Sequence, residues 1–389
     1  MKKIIVCLIL ILSSAILFFP KEQINVYAEN QLSSLDAKSY ILVDYNTKKV
    51  LANHNEQEHL EVASMVKLMT SLITIEKIEK GELALDQKVV ISEHAASQEG
   101  SQAFLDANKE YTVEELLKSV IIASANDSSV ALAECIASSE EGFVNMMNER
   151  ANELGLSNTH YANASGLPSE EEQYSCAEDI AKLLSEEIKH ELYFKYSNIW
   201  IDEIIHESGR RTELVNTNIL IRQYKGCDIG KTGFTDEAGY CLSASSKKNN
   251  MRLVSVVIGA KTTKERFSIT TTLLNYGFNN FENKQIISKD ENITKTLEVK
   301  SGNAKEINLA FETDFYSLEK RGETSDIKLK FDYESLEAPI KEKQIVGKVY
   351  IVKDGEVLGE VNIISKQSVE KSTFKDIFHK IIENYSIAN

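Results

Sequence analysis

Residues 63–70, Ala-Ser-Met-Val-Lys-Leu-Met-Thr, open the first strongly helical pattern in the chain. Met65, Leu68, Met69, Leu72, Ile73 and Ile75 recur at helical spacing and predict a largely apolar helix from Ala63 to about Lys80. Ser64 and Lys67 stand three residues apart, so they share one face of that helix and the amine can reach the hydroxyl. A serine is a weak nucleophile at neutral pH until a base takes its proton. A lysine desolvated in a pocket can serve, because burial lowers its pKa. The start of a helix adds unpaired N–H groups and a positive field beside the nucleophile. Spacing alone decides little, since Ser-x-x-Lys recurs at Ser245/Lys248, Ser317/Lys320, Ser325/Lys328, Ser368/Lys371 and Ser372/Lys375. Those read as solvated polar residues. Ser64 differs in its apolar setting and in its company.

That company is Ser124-Ala125-Asn126 and Lys231-Thr232-Gly233. Thr112-Val113-Glu114-Glu115 reads as a capping box ahead of a helix over 115–123, and a second helix is expected over 127–137. Ser124 and Asn126 fall between them. A hydroxyl there can relay a proton and an amide can orient Lys67 and a substrate carbonyl, although Ser and Asn also favour such junctions simply as caps. Lys231-Thr232-Gly233 lies on an expected strand, 226–235. Lys231 and Thr232 offer donors to a carboxylate, and Gly233 lets a substrate backbone approach closely.

Farther out, residues 39–50 read as a hairpin turning at Asn46-Thr47-Lys48. Helices are expected over 141–154 and 177–188, strands over 240–246 and 251–260, and a helix over 264–281. A hairpin first, helices in the middle and strands with a helix last suit an α/β (α+β) fold, one antiparallel sheet flanked by helices. Beyond Asn283 the texture becomes alternating, at 294–299, 306–311, 327–333 and 346–352, with a hairpin signal at Asp354-Gly355. Residues 284–370 are therefore expected to form a small all-β domain after a catalytic domain at 29–283. In the last stretch Phe374, Ile377, Phe378, Ile381, Ile382 and Tyr385 recur at helical spacing. Such an amphipathic helix over 371–389 suits a membrane interface, the β domain or a partner chain.

Ser-x-x-Lys, then Ser-x-Asn, then Lys-Thr-Gly, in that order, is the signature of penicillin-binding proteins and serine β-lactamases. On these motifs the chain resembles the low-molecular-mass D-alanyl-D-alanine carboxypeptidases over nearly its whole length. Further matching segments are Gly166-Leu167-Pro168, Tyr174-Ser175 with Asp179, Ala238-Gly239-Tyr240, Ala338-Pro339-Ile340 and Val346-Gly347. Ala125 stands where Gly is common, Val62 where Pro is frequent, and Gln173 where His is frequent. The resemblance implies a penicillin-binding/β-lactamase-type fold and a serine peptidase acting on peptidoglycan pentapeptide stems, with β-lactams as inhibitors. It implies Ser64 as nucleophile, Lys67 as base, Ser124 and Asn126 in proton relay and alignment, and Lys231 and Thr232 on the terminal carboxylate. The backbone N–H groups of Ser64 and Phe234 would form the oxyanion hole, and Arg266 would assist the carboxylate or simply lie on the surface. No metal or cofactor is implied. A class A β-lactamase would also need Glu-x-x-Leu-Asn between Asn126 and Lys231. Glu170-Glu171-Glu172 is followed by Gln-Tyr-Ser instead. A non-catalytic penicillin-sensing or wall-binding module would have no need of the intact motif residues.

Lys2 and Lys3, the apolar run from Ile4 to Phe19, Pro20 and Val26-Tyr27-Ala28 read as an export signal over residues 1–28. The remaining chain is then extracytoplasmic, and membrane association at the outer face would come from the terminal helix. A net charge of −15 argues against nucleic acid, which needs clustered Lys and Arg. Cys135, Cys176, Cys227 and Cys241 lack zinc-ligand spacing and are expected to be mostly buried free thiols.

Overall fold

Strands β1 (Ser39–Asp44) and β2 (Val50–His54) make the expected hairpin. Asp44 closes its turn, with Oδ1 accepting from Thr47 N at 2.8 Å and Thr47 Oγ1 at 2.7 Å. The computed structural model describes residues 34–323 and 325–376, together with Leu32 and Phe378. The export signal expected over residues 1–28 lies outside the described residues, as does most of the helix expected over 371–389.

The described chain divides into two compact units at Asn279/Asn280. In the first, two short strands, β3 (Lys88–Val90) and β4 (Glu110–Thr112), pair with each other, as do β5 (Ile201–Ile205) and β6 (Arg211–Val215). The main sheet is completed by β7 (Cys227–Thr235), β8 (Gly239–Lys248) and β9 (Met251–Ala260). Its order is β2-β1-β9-β8-β7, antiparallel throughout, with β9 at the centre. That position explains why β9 is almost uninterruptedly apolar: it is covered on both faces.

Six longer helices surround this sheet: α1 (Lys67–Glu79), α2 (Val113–Ala123), α3 (Asn126–Ala137), α4 (Glu140–Glu153), α5 (Ala177–Glu187) and α6 (Thr263–Asn280). Residues 67–75 of α1 are all buried, so this helix runs through the centre of the helical layer rather than along its surface. On one sheet face Ile41, Val254, Val256 and Ile258 join a continuous core with residues of α1 to α5. On the other face α6 approaches closely at Gly277, where a Cβ would lie 2.5 Å from Leu253 Cδ1 and 3.1 Å from Leu42 Cδ2. The capping box ahead of α2 is present in full: Thr112 Oγ1 accepts from Glu115 N at 3.1 Å, and Glu115 Oε2 accepts from Thr112 N at 2.7 Å.

One element differs from expectation in a way that bears on the site. The helix does not begin at Ala63. Residues Ala63–Val66 form a 3-10 turn, opened by Ala63 at φ +48°, and the α-helix starts only at Lys67. The β5–β6 hairpin was also not anticipated, because Ile201, Ile205 and Val215 lie on its exposed side and blur the alternation.

The second unit is all β. Strands β11 (Asn292–Lys300), β12 (Glu306–Phe311), β14 (Ile327–Tyr333), β15 (Leu336–Glu337), β16 (Ile345–Lys353) and β17 (Glu356–Ser365) make a six-stranded sheet of order β14-β16-β17-β12-β11-β15, and β10 (Phe281–Ile287) pairs with β13 (Phe315–Lys320). Asp354-Gly355 turns β16 (Ile345–Lys353) into β17, as its composition indicates. Ile307, Leu309, Val349, Ile351, Val361 and Ile363 fill its core. In the first unit Cys135, Cys176, Cys227 and Cys241 are free thiols, the last three buried.

Candidate functional site

Three separate pieces of backbone bring the candidate residues together. Ser64 sits on the 3-10 turn ahead of α1. Ser124 caps α2 in a left-handed conformation (φ +65°) and Asn126 occupies the first turn of α3. Lys231 to Phe234 lie on the edge strand β7. Ser64, Ser124, Asn126, Thr232, Gly233 and Phe234 line one cleft of about 390 Å³. Lys67 and Lys231 stand just beneath it, both almost fully buried.

Lys67 is held by three oxygens. Its Nζ lies 3.0 Å from Ser64 Oγ, 2.6 Å from Asn126 Oδ1, and also against the Ser165 carbonyl. The two carbonyl-type oxygens can only accept, so they take two N–H bonds. A neutral amine has two N–H bonds and one lone pair, and the lone pair is then left facing the Ser64 hydroxyl. Burial is the main cause holding the Lys67 pKa well below the ordinary lysine range, with the nearby Lys231 charge second and Asp127 opposing both. Lys231 donates to Ser124 Oγ at 2.6 Å and to its neighbour's carbonyl, Thr232 O, at 3.0 Å. Burial and then the Arg266 charge hold its pKa down to about 7. Thr232 Oγ1 donates to Thr217 Oγ1 at 2.8 Å.

Glycine permits the tight backbone packing behind Ser64. A Cβ on Gly233 would come within 2.7 Å of Val62 O and 3.2 Å of Ser64 N, so β7 can run beside the Ser64 turn only without one. At Gly166 (φ +77°) a Cβ would meet Ala63 O at 2.1 Å. The turn containing Gly166 is built by Asn163, whose Oδ1 accepts from Ser165 N at 3.1 Å and Gly166 N at 2.6 Å. That turn aims the Ser165 carbonyl at Lys67.

Several participants carry no motif, and all of them but Arg266 were missed in the sequence. Ser165 contributes only its carbonyl, which any residue could supply. Thr217 reaches the cleft from the segment after β6. Arg266 is not a surface arginine: it is 8% exposed, lines the cleft, and donates to Gly233 O at 3.2 Å and Cys241 O at 3.4 Å. Asp127 is 1% exposed and pins the irregular segment around Phe104 beside the cleft. It accepts from Ala103 N at 3.0 Å and Ser128 N at 2.8 Å through Oδ1, and from Leu105 N at 3.1 Å through Oδ2. Asn126 ties the same segment, donating from N to Ser101 O at 2.7 Å and from Nδ2 to Glu99 O at 2.6 Å. The second of these bonds fixes the amide so that Oδ1, not Nδ2, faces Lys67. Among the described residues no cluster of His, Cys, Asp and Glu could hold a metal ion.

Comparison with known proteins gives consistent matches over both units. Residues 25–262 match the family model described as D-alanyl-D-alanine carboxypeptidase, and residues 281–371 match that of the penicillin-binding protein 5 C-terminal domain. The chain is 43% identical over 344 residues to D-alanyl-D-alanine carboxypeptidase DacF of Bacillus subtilis, covering 87% of each chain. It is 32% identical to D-alanyl-D-alanine carboxypeptidase DacA of Escherichia coli, over 90% of this chain and 87% of that one. The crystal structure of penicillin-binding protein 5 from Haemophilus influenzae superposes with a TM-score of 0.72 at 31% identity, covering 87% of this chain and 98% of that one.

Asp127→Asn tests the pinning. The substitution sets an amide N–H₂ against the Leu105 N–H and removes the negative charge that raises the Lys67 pKa. Stability should fall by about 1–3 kcal/mol in denaturant unfolding. The acid limb of the penicillin acylation profile should move to lower pH, and a shift to higher pH would contradict the assignment.

Proposed function

The chain belongs to the D-alanyl-D-alanine carboxypeptidase family, and from that premise we propose that Ser64, Lys67, Ser124 and Asn126 carry its chemistry and that Lys231 to Phe234 hold its substrate. The protein is a serine-type hydrolase that acts on the D-Ala-D-Ala end of peptidoglycan stem peptides and is sensitive to penicillin. The observation that supports the residue assignment most directly is the position of Lys67 Nζ between Ser64 Oγ and two oxygen acceptors.

In this reading Lys67 is neutral and accepts the Ser64 proton as Oγ attacks the carbonyl between the two D-alanines. The substrate's terminal carboxylate lies against Lys231 and the Thr232 hydroxyl, with Arg266 behind them adding positive potential. A bound carboxylate favours the charged form of Lys231, and that charge in turn keeps Lys67 neutral. The developing oxyanion takes hydrogen bonds from the backbone N–H groups of Ser64 and Phe234, where losing one donor typically costs roughly 3 kcal/mol of barrier. Ser124 accepts from Lys231, so its own proton points elsewhere and can pass to the departing amine, while the proton Lys67 took from Ser64 replaces it and leaves Lys67 neutral again. Water then hydrolyses the acyl-Ser64 ester, and the second product leaves. Penicillin follows the same first step because its strained amide and carboxylate mimic the substrate.

Family membership makes the protein an extracytoplasmic, wall-associated enzyme. We propose the two-part organisation stated from sequence, a catalytic domain at 29–283 and a β domain at 284–370. We also propose that residues 371–389 hold the enzyme peripherally at the outer membrane face. Phe374 is 84% exposed and its ring stacks on Phe378 with centroids 6.5 Å apart, an apolar face open to solvent at the start of that segment. Among the described residues no helix is long and apolar enough to cross a membrane.

Two experiments test these assignments. Ser64→Ala should form no penicillin adduct by intact mass and should lose at least about 10³-fold of D-alanine release from a D-Ala-D-Ala peptide. An adduct that persists in this variant would move the nucleophile elsewhere. The mature chain should co-sediment with anionic liposomes and a chain ending at Glu370 should not; equal behaviour of the two would remove the anchoring role.

A further inference from the structure

The strand that carries Lys231 to Phe234 forms one edge of the main sheet, and β2 forms the other. Four strand spacings, about 19 Å, separate the two edges. At the β2 edge a second cavity of about 390 Å³ opens between the β1–β2 hairpin and α5. Its volume falls in the range of small-molecule sites, about 300–1,000 Å³. Ile41 and Val43 of β1, Val50 of β2, Leu154 after α4 and Ala181 of α5 give it apolar walls. None of these residues takes part in the chemistry proposed for Ser64.

The rim is charged, and its charges are not alike. Lys182 is paired with Glu178 at 3.2 Å and Asp179 at 3.0 Å. Lys189 is paired with Glu186 at 2.5 Å. Lys48 forms no ion pair among the described residues; its ammonium lies over the face of the Tyr45 ring, 3.9 Å from the centroid. Asp44 and Glu186 favour its charge from a distance, while partial burial and then Lys189 disfavour it. One rim lysine thus lacks a bonded counter-charge at the mouth of an apolar cavity. An apolar cavity with a single unmatched cation at its mouth is complementary to a molecule that is apolar at one end and anionic at the other.

We propose that this cavity is a second binding site, for a single-chain amphiphilic anion whose alkyl chain enters between β1 and α5 and whose carboxylate or phosphate head meets Lys48. The site is separate from the catalytic cleft, so its occupancy does not compete with penicillin. Lys189 is matched by Glu186 and Lys182 is shared by Glu178 and Asp179, so Lys48 is the one rim cation among the described residues with no bonded carboxylate, which matches one negative charge rather than several. A cationic head would face Lys48 directly and binds more weakly.

The test is calorimetric titration of the mature chain with dodecanoate, dodecyl phosphate and dodecyltrimethylammonium, each below its micelle concentration. Saturable binding of at least one anion to one site is expected, at least about tenfold tighter than the cation. Lys48→Glu should weaken that anion by about tenfold or more, the size expected from losing a charge-assisted hydrogen bond. Ala181→Phe, which fills the cavity, should weaken binding as well. Penicillin acylation should be unchanged in both variants. Lys48 is on an exposed turn, so its variant reports on the site even where the buried Ala181 substitution impairs folding. The relative affinity of the two anions distinguishes a carboxylate from a phosphate head. Absence of saturable binding, equal affinity for the cation, or binding indifferent to Lys48→Glu would overturn the proposal.

Discussion

A lysine amine sealed from water in the middle of a protein is expensive to keep charged, and the surroundings of Lys67 are organised around that constraint. Leaving an ammonium in an apolar interior without a carboxylate partner costs several kcal/mol, so the proton is given up instead. No carboxylate bonds to Lys67. Two acceptors, Asn126 Oδ1 and the Ser165 carbonyl, absorb its two remaining hydrogens and leave the lone pair for Ser64. Each acceptor is itself fixed: Asn126 by Glu99 O, and the Ser165 carbonyl by the Asn163 turn at Gly166. The packing of β7 and of this turn against Val62 and Ala63 requires glycine at both places.

The same constraint ties the second lysine to the first. Lys231 contributes to the lowering of Lys67, and Arg266 contributes to the lowering of Lys231. An arriving carboxylate favours the charged form of Lys231, and that charge holds Lys67 in the neutral form it already has. Substrate binding thus reinforces the base. A neutral ligand of the same shape would not.

Much of this was legible in the sequence, for identifiable reasons. The apolar run of β9, the alternation in the second unit and the apolar spacing after Ser64 are signals that survive without any partner. Ser64, Lys67, Ser124, Asn126, Lys231 and Thr232 were found because three weak patterns occur in a fixed order. What stayed hidden depends on tertiary context. The 3-10 turn at Ala63–Val66 arises from a positive φ at an alanine, which composition does not announce. Ser165 acts through its backbone, Thr217 through its place after an unrecognised hairpin, and Asp127 through hydrogen bonds to a segment about two dozen residues upstream. Arg266 is open to two readings in the sequence, a carboxylate helper or a surface charge, until the fold turns it inward.

The central claim is that Lys67 is the neutral base, and the pH dependence of the second-order rate of penicillin acylation tests it most directly. The base must be unprotonated, so the rate falls as pH drops through its pKa. The account predicts an acid limb well below the ordinary lysine range. A rate that keeps rising with pH up to the ordinary lysine range would show that Lys67 is charged in the resting enzyme, and would contradict it.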